Sequence, residues 1–149
     1  MSDNLPPAQA QRLAERAATA LYERDCASKS LGMQLTVVRP GFAQVTMTVR
    51  ADMVNGHGLC HGGLLFALAD SAFAFACNSY NEATVAAAAS IDFLAAARVG
   101  EVLTAEAREL WRTRRNGLYE IIILNQQGER IALFRGRSYR IDGTVVPAE

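Results

Sequence analysis

Asp70 is the residue of this chain best placed to do chemistry. It stands inside Leu64-Leu65-Phe66-Ala67-Leu68-Ala69-Asp70-Ser71-Ala72-Phe73-Ala74-Phe75, and no other Asp, Glu, Lys or Arg occurs between Asp52 and Glu82. A carboxylate taken out of water without partners is costly to keep ionised, so its pKa rises. A carboxyl group tuned this way suits a general base or a nucleophile near neutral pH. The competing reading is structural: a cap at a break in the helix, or a pair with an arginine. Eight residues earlier, Gly62-Gly63 opens the same apolar segment. A helix start offers unpaired backbone N–H groups and the positive end of the helix dipole, and glycine leaves the approach to them open. Such a place could hold a developing oxyanion, although Gly-Gly is equally at home in a tight turn. No Gly-Lys-Ser/Thr follows, which excludes a phosphate-binding P-loop, and the spacing does not fit a dinucleotide fingerprint.

The loop before this helix carries His57, Cys60 and His61. A zinc site could use such ligands, but the spacing is cramped and no fourth ligand is near in sequence, so no metal is expected. A Cys60–His61 nucleophile pair is weak, because chain neighbours rarely point at each other, and no G-x-S-x-G elbow exists. His61 is better suited to orienting the loop or polarising a carbonyl. Cys60 and Cys77 read as small apolar fillers. Asn55 could bond a water or the loop backbone, or simply form an Asn-Gly turn. Arg112, Arg114 and Arg115 cluster at a turn, and Arg135, Arg137 and Tyr139 alternate on the last strand. They could grip phosphates, but the favoured reading is a solvated charged edge.

Geometry ties the acid to the glycines. Eight helical residues span roughly 12 Å, yet a base and an oxyanion donor must both lie within about 3 Å of the same reacting atoms. One chain cannot easily do that. Two antiparallel copies of the helix could, with Gly62 of one beside Asp70 of the other. A site shared across a homodimer follows, with the apolar helix partly buried by its twin.

The elements that must position these residues are legible from periodicity. Ala8 to Asp25 reads as an amphipathic helix. Leu35–Val38 and Phe42–Arg50 read as strands around the Pro40-Gly41 turn, and Val45, Met47 and Val49 alternate with polar residues as in a half-buried strand. Leu64 to Ser79 is apolar on all sides and belongs inside something. Val85–Leu94, Glu101–Trp111, Leu118–Asn125 and Arg130–Ile141 read as strands. The order α–β–β–α–β–β–β–β predicts an α+β fold, one antiparallel sheet wrapped on one buried helix, in a single domain over residues 1–149 with residues 1–7 as a loose tail.

Composition bounds the rest. Fifteen basic and fifteen acidic residues cancel, which gives no support for a nucleic-acid partner and makes oligomer formation reasonable. The N-terminus lacks an apolar signal segment, and the longest apolar run is shorter than the ~20 residues of a membrane span. Three cysteines without a scaffold pattern suit a reducing, cytoplasmic setting.

Taken together, Asn55-Gly56-His57-Gly58-Leu59-Cys60-His61-Gly62-Gly63 and Leu68-Ala69-Asp70-Ser71-Ala72-Phe73-Ala74 resemble the PaaI-type thioesterases of phenylacetic acid degradation, as do Ile91-Asp92-Phe93-Leu94 and Ala132-Leu133-Phe134-Arg135-Gly136. The resemblance implies a hotdog fold, dimers paired into tetramers, and metal-free, cofactor-free hydrolysis of aryl- or acyl-CoA, with phenylacetyl-CoA or its hydroxylated form as the expected substrate. It implies Asp70 as the catalytic acid, Gly62 as the amide donor to the thioester carbonyl, His61 and Asn55 as support, and Gly63 and Ser71 at the substrate. Ala95-Ala96 stands where many relatives have Arg-Pro, and Ser71 where a close relative carries Thr. Two rival functions use the same fold: a non-catalytic acyl-CoA sensor, and a dehydratase or hydratase built on a His plus acid pair.

Overall fold

The computed structural model describes residues 2–148. A short 3-10 turn, Ser2–Asn4, precedes helix α1, Pro7–Arg24. Proline suits the first turn of a helix because its missing N–H would have no partner there. α1 buries Ala14, Ala17 and Ala18 and leans on the first strand and the central helix. Most of the expected N-terminal tail is thus structured, and Asp3 ion-pairs with Arg112; Met1 lies outside the described residues.

The sequence reading ran the first helix through Asp25. The chain instead leaves the helix there and starts a second one, α2, Cys26–Ser30. Asp25 is the cap: its carboxylate accepts from Ser28 N–H at 2.9 Å, satisfying an amide that the helix start leaves open.

Six strands follow: β1 (Gln34–Arg39), β2 (Phe42–Thr48), β3 (Thr84–Phe93), β4 (Val102–Arg112), β5 (Asn116–Leu124) and β6 (Arg130–Arg140). They form one antiparallel sheet in the order β1-β2-β4-β5-β6-β3. The central helix α3, Gly62–Cys77, packs against all six strands. α3 buries Leu65, Leu68, Ala69, Ala72, Phe73, Phe75 and Ala76 against inward residues of the strands, among them Met47, Leu103, Tyr119, Ile121 and Phe134. Each such large side chain stabilises the fold by about 1.5–3 kcal/mol. The helix comes so close to β6 that a Cβ on Gly136 would sit 2.8 Å from the Phe73 ring. This is the hotdog arrangement expected from the sequence, with strand ends shifted by a residue or two.

The sheet has one exposed edge of note. β3 pairs with β6 on one side only, and Val85 to Ser90 are exposed along it. An edge strand of Val-Ala-Ala-Ala-Ala-Ser carries no charge to discourage pairing with another strand.

Candidate active site

α3 begins at Gly62, two residues before the sequence reading placed it, because His61 caps it. His61 Nδ1 accepts the Gly63 N–H at 2.9 Å, and the His61 carbonyl accepts from Leu64 and Leu65. A ring nitrogen that accepts carries no proton, so in the neutral imidazole the proton sits on Nε2. Gly63, expected at the substrate, therefore has its amide engaged within the chain. Gly62 does not: among the described residues nothing accepts its N–H.

Gly62 lines a cleft of about 380 Å³ with Asn55, Leu59, Cys60, Leu65 and residues Phe93 to Ala97. Asn55 holds the preceding loop closed, its Oδ1 accepting from His57 N–H at 2.9 Å and Leu59 N–H at 3.2 Å. Its side-chain NH2 has no acceptor among the described residues, which leaves a donor in the same cleft as the Gly62 amide. The bond to the loop backbone is thus present, and it builds the turn. Phe93 packs on Gly62 so closely that a Cβ there would meet the ring at 3.0 Å. Glycine at 62 therefore keeps the amide open and makes room for the ring. Ala95-Ala96 forms part of the wall.

Asp70 lies elsewhere. It is half-buried on α3 and lines a cleft of about 340 Å³ with Leu21, Arg24, Asp25, Phe73, Ala74, Cys77, Asn78, Thr84, Val85 and Ala86. Among the described residues it has no hydrogen bond and no ion pair. Its pKa is raised, first by loss of water and second by the negative charge of Asp25. Neither structural alternative applies: Asp70 caps nothing, and Arg24 bonds the Val145 carbonyl at 3.2 Å instead. Ser71, expected at the substrate, has its hydroxyl 2.7 Å from Ser28 Oγ.

Several of the other candidates are engaged or buried within the fold. Cys60 is buried and its thiol pKa is raised by burial. The Cys77 thiol is pushed up to about 12 by burial. Both are poor nucleophiles. Arg112 stacks 3.6 Å over Tyr80 and sits near Glu82 and Glu109. Arg135 pairs with Glu120 and Arg137 bonds Asn116. Among the described residues no three His, Cys, Asp or Glu form a metal-sized cluster, and no helix is long and apolar enough to cross a membrane.

Two neighbours of the site were missed from sequence. Asp25 reaches the Asp70 cleft from a helix corner 45 residues away, and periodicity carries no trace of that meeting. Phe93 stood in a quoted motif without a role; its place at the end of β3, shortly before the chain returns beside Gly62, was its only signal.

The sequence profile of the thioesterase superfamily matches residues 57–132, which include Gly62 and Asp70. The chain is 52% identical over 128 residues to the acyl-coenzyme A thioesterase PaaI of Escherichia coli, covering 86% of this chain and 91% of that one. The solved structure of the E. coli PaaI protein from the phenylacetic acid degradation operon superposes with a TM-score of 0.89 at 50% identity, over 91% of this chain and 98% of that one. A hypothetical thioesterase protein of Streptococcus pneumoniae TIGR4, solved with coenzyme A, superposes with a TM-score of 0.72 at 25% identity, over 75% of this chain and 90% of that one.

Proposed function

The chain belongs to the thioesterase superfamily and is a thioester hydrolase, and we propose that it cleaves phenylacetyl-CoA or a hydroxylated phenylacetyl-CoA at a site shared by two copies. One observation carries the shared site. The Asp70 cleft includes Thr84, Val85 and Ala86 at the start of β3, and the Gly62 cleft includes Phe93 at its end. β3 is the open edge of an antiparallel sheet. Pairing β3 with the β3 of a second copy, antiparallel about its midpoint, lays the start of one strand beside the end of the other. The acid of each chain then meets the amide of its twin. Within one chain the two groups stay separated by eight residues of rigid helix, roughly 12 Å.

In that pair the thioester carbonyl rests on the Gly62 N–H, with the Asn55 NH2 close by, and the positive end of α3 stabilises charge that grows on the oxygen. Asp70 reaches the carbonyl carbon from the other chain. As general base it takes a proton from water while the water oxygen bonds to that carbon; as nucleophile its own oxygen forms the bond and water later opens the anhydride. In both routes the C–S bond breaks and the departing thiolate of coenzyme A receives a proton. Its raised pKa suits Asp70 to hold a proton better than an ordinary carboxylate near neutral pH. The reaction draws on this carboxylate, the amides and water, so treatment with a chelator should leave the rate unchanged.

The acyl group fits the Asp70 cleft, where Leu21, Phe73, Ala74, Cys77 and Val85 provide apolar walls. A cavity of about 150 Å³ already holds a benzene ring, and this one is larger. A second pairing, of dimers into tetramers, would cover the exposed Leu110 and Trp111 of β4. The proposed setting is the reducing cytoplasm, in keeping with three free cysteines.

Hybrid dimers test the proposal. Asp70→Asn and Gly62→Val chains are each expected to be inactive alone. Mixed, each hybrid dimer regains one complete site and about half the activity of a wild-type dimer. No recovery on mixing would place each site within one chain. A panel of acyl-CoAs read with a thiol-detecting dye tests the acyl group, with the highest kcat/KM expected for phenylacetyl-CoA; a tenfold preference for straight-chain acyl groups would overturn that choice.

A further inference from the structure

Asp70 is not the only carboxylate in its cleft, because Asp25 lines the same walls. A second acid beside an unpartnered one is costly unless something holds it in place. Here the hold is explicit. Asp25 accepts from Ser28 N–H at 2.9 Å and from Ser28 Oγ at 2.5 Å. The Ser28 hydroxyl is buried, at 1% exposure, and lies 2.7 Å from Ser71 Oγ. A hydroxyl has one proton, and Ser28 gives it to the carboxylate, so Ser71 must donate to Ser28. The chain Ser71 to Ser28 to Asp25 thus begins on the residue next to Asp70 and ends on the neighbouring acid.

We infer that Asp25 is a positioning residue for the hydrolysis, a second carboxylate locked by Ser28 and Ser71 whose negative charge makes Asp70 a stronger base. This rests on the proposed role of Asp70. The groups that face Asp70 can be named element by element. The corner after α1 brings Asp25 and Arg24, and Arg24 is bonded to the Val145 carbonyl. α3 itself brings Cys77, neutral with its high pKa. Thr84, Val85 and Ala86 of β3 bring no charge. In the proposed pair the second copy adds its Gly62 helix start, with His61 beside it. Asp25 is thus the one anionic group set against Asp70 among the described residues of its cleft, and the direction of the Asp70 pKa shift agrees. The capping role of Asp25 does not require its charge, because Asn and Ser cap helices about as well.

The test separates charge from structure. Asp25→Asn and Asp25→Ser keep the cap and remove the negative neighbour. In both, the acid limb of the kcat/KM profile should move to lower pH while the plateau kcat falls several-fold, since a weaker base is ionised sooner but accepts a proton less readily. A purely structural role would lower activity at every pH without moving the limb. A titration of the Asp70 carboxyl carbon by NMR, assigned with Asp70→Asn, reads the same coupling without turnover. Its midpoint should lie at lower pH in both variants than in the wild type. An unmoved midpoint in a folded variant overturns the inference. Normal turnover by Asp70→Asn would instead break the proposed function, and the NMR curves would still report on Asp25.

Discussion

Two half-buried carboxylates, Glu109 and Asp70, show how one chemical group serves two ends. Glu109 points inward from β4 and is engaged through one oxygen: Oε2 accepts from Tyr80 Oη at 2.8 Å and from Tyr119 Oη at 3.0 Å, and Arg112 Nε lies 3.6 Å away. Burial first, and then the Glu109 charge, raise the pKa of both tyrosine hydroxyls, so they stay donors. Asp70 has the opposite surroundings: largely apolar walls, a like charge nearby and, among the described residues, no donor bonded to it. An acid engaged in this way joins strands to a loop and is held in place by its donors. An unsatisfied acid weakens the fold and keeps its lone pairs for chemistry. In the proposed mechanism that cost is what leaves the carboxylate available as a base.

The contrast can be broken in several ways. The largest expected effect is on turnover: Asp70→Asn should lower kcat by about 10²–10⁴-fold, the usual worth of a general base, with coenzyme A binding retained by calorimetry. A loss smaller than tenfold would make Asp70 a bystander. Gly62→Ala comes next. Its Cβ would stand 3.0 Å from the Phe93 ring, and the displacement should cost on the order of 10²-fold in kcat/KM, with little change in thermal stability. Ala89→Lys puts a charge near the midpoint of β3, where it would face its own copy across the proposed interface. Like charges set opposite each other are repulsive, so light scattering should show dissociation toward monomers, with activity falling in step. Activity that persists in monomers would defeat the shared site.

The smaller effects are on stability, and they carry opposite signs. Glu109→Gln removes the acceptor of two tyrosines and should destabilise the fold by about 1–3 kcal/mol, seen as a lower Tm, with kcat of the folded enzyme unchanged. Asp70→Asn should raise Tm at neutral pH. The sign follows from linkage. A carboxyl whose folded pKa is raised binds its proton more tightly in the folded state, so its favourable contribution is complete below the ordinary value of about 3.9 and is lost as pH rises through the folded pKa. The Tm advantage of the variant should therefore be clear at pH 7 and shrink toward pH 4. A constant difference across that range would show that Asp70 does not titrate abnormally.

Much of this was legible in the residues alone. Local periodicity marked the all-apolar helix, the alternating strands and the lone acid among leucines, phenylalanines and alanines, because side-chain period and burial are properties of neighbours in the chain. The same reading separated Gly62 from Asp70 by helix length and so pointed to a second copy. Details that depend on a cap or a corner were less accessible. Asp25 ends α1 and starts α2, a choice between two helical continuations that hinges on one side-chain hydrogen bond. Gly63 and Ser71 looked free to meet a substrate until His61 and Ser28 were seen to engage them.

What the sequence determined by itself was the chemistry available: one carboxyl group amid apolar residues, one Gly-Gly pair eight residues before it, and elements of the right length to hold them. What only the tertiary structure decided was their company. It put Asp25 in the same cleft as Asp70, laid Phe93 on Gly62, and set the two clefts at opposite ends of an open edge strand. The physical reason is that burial patterns arise from residues a few positions apart, whereas a site is made by residues brought together from tens of positions away. Chain closure over those distances leaves no period in the sequence to read.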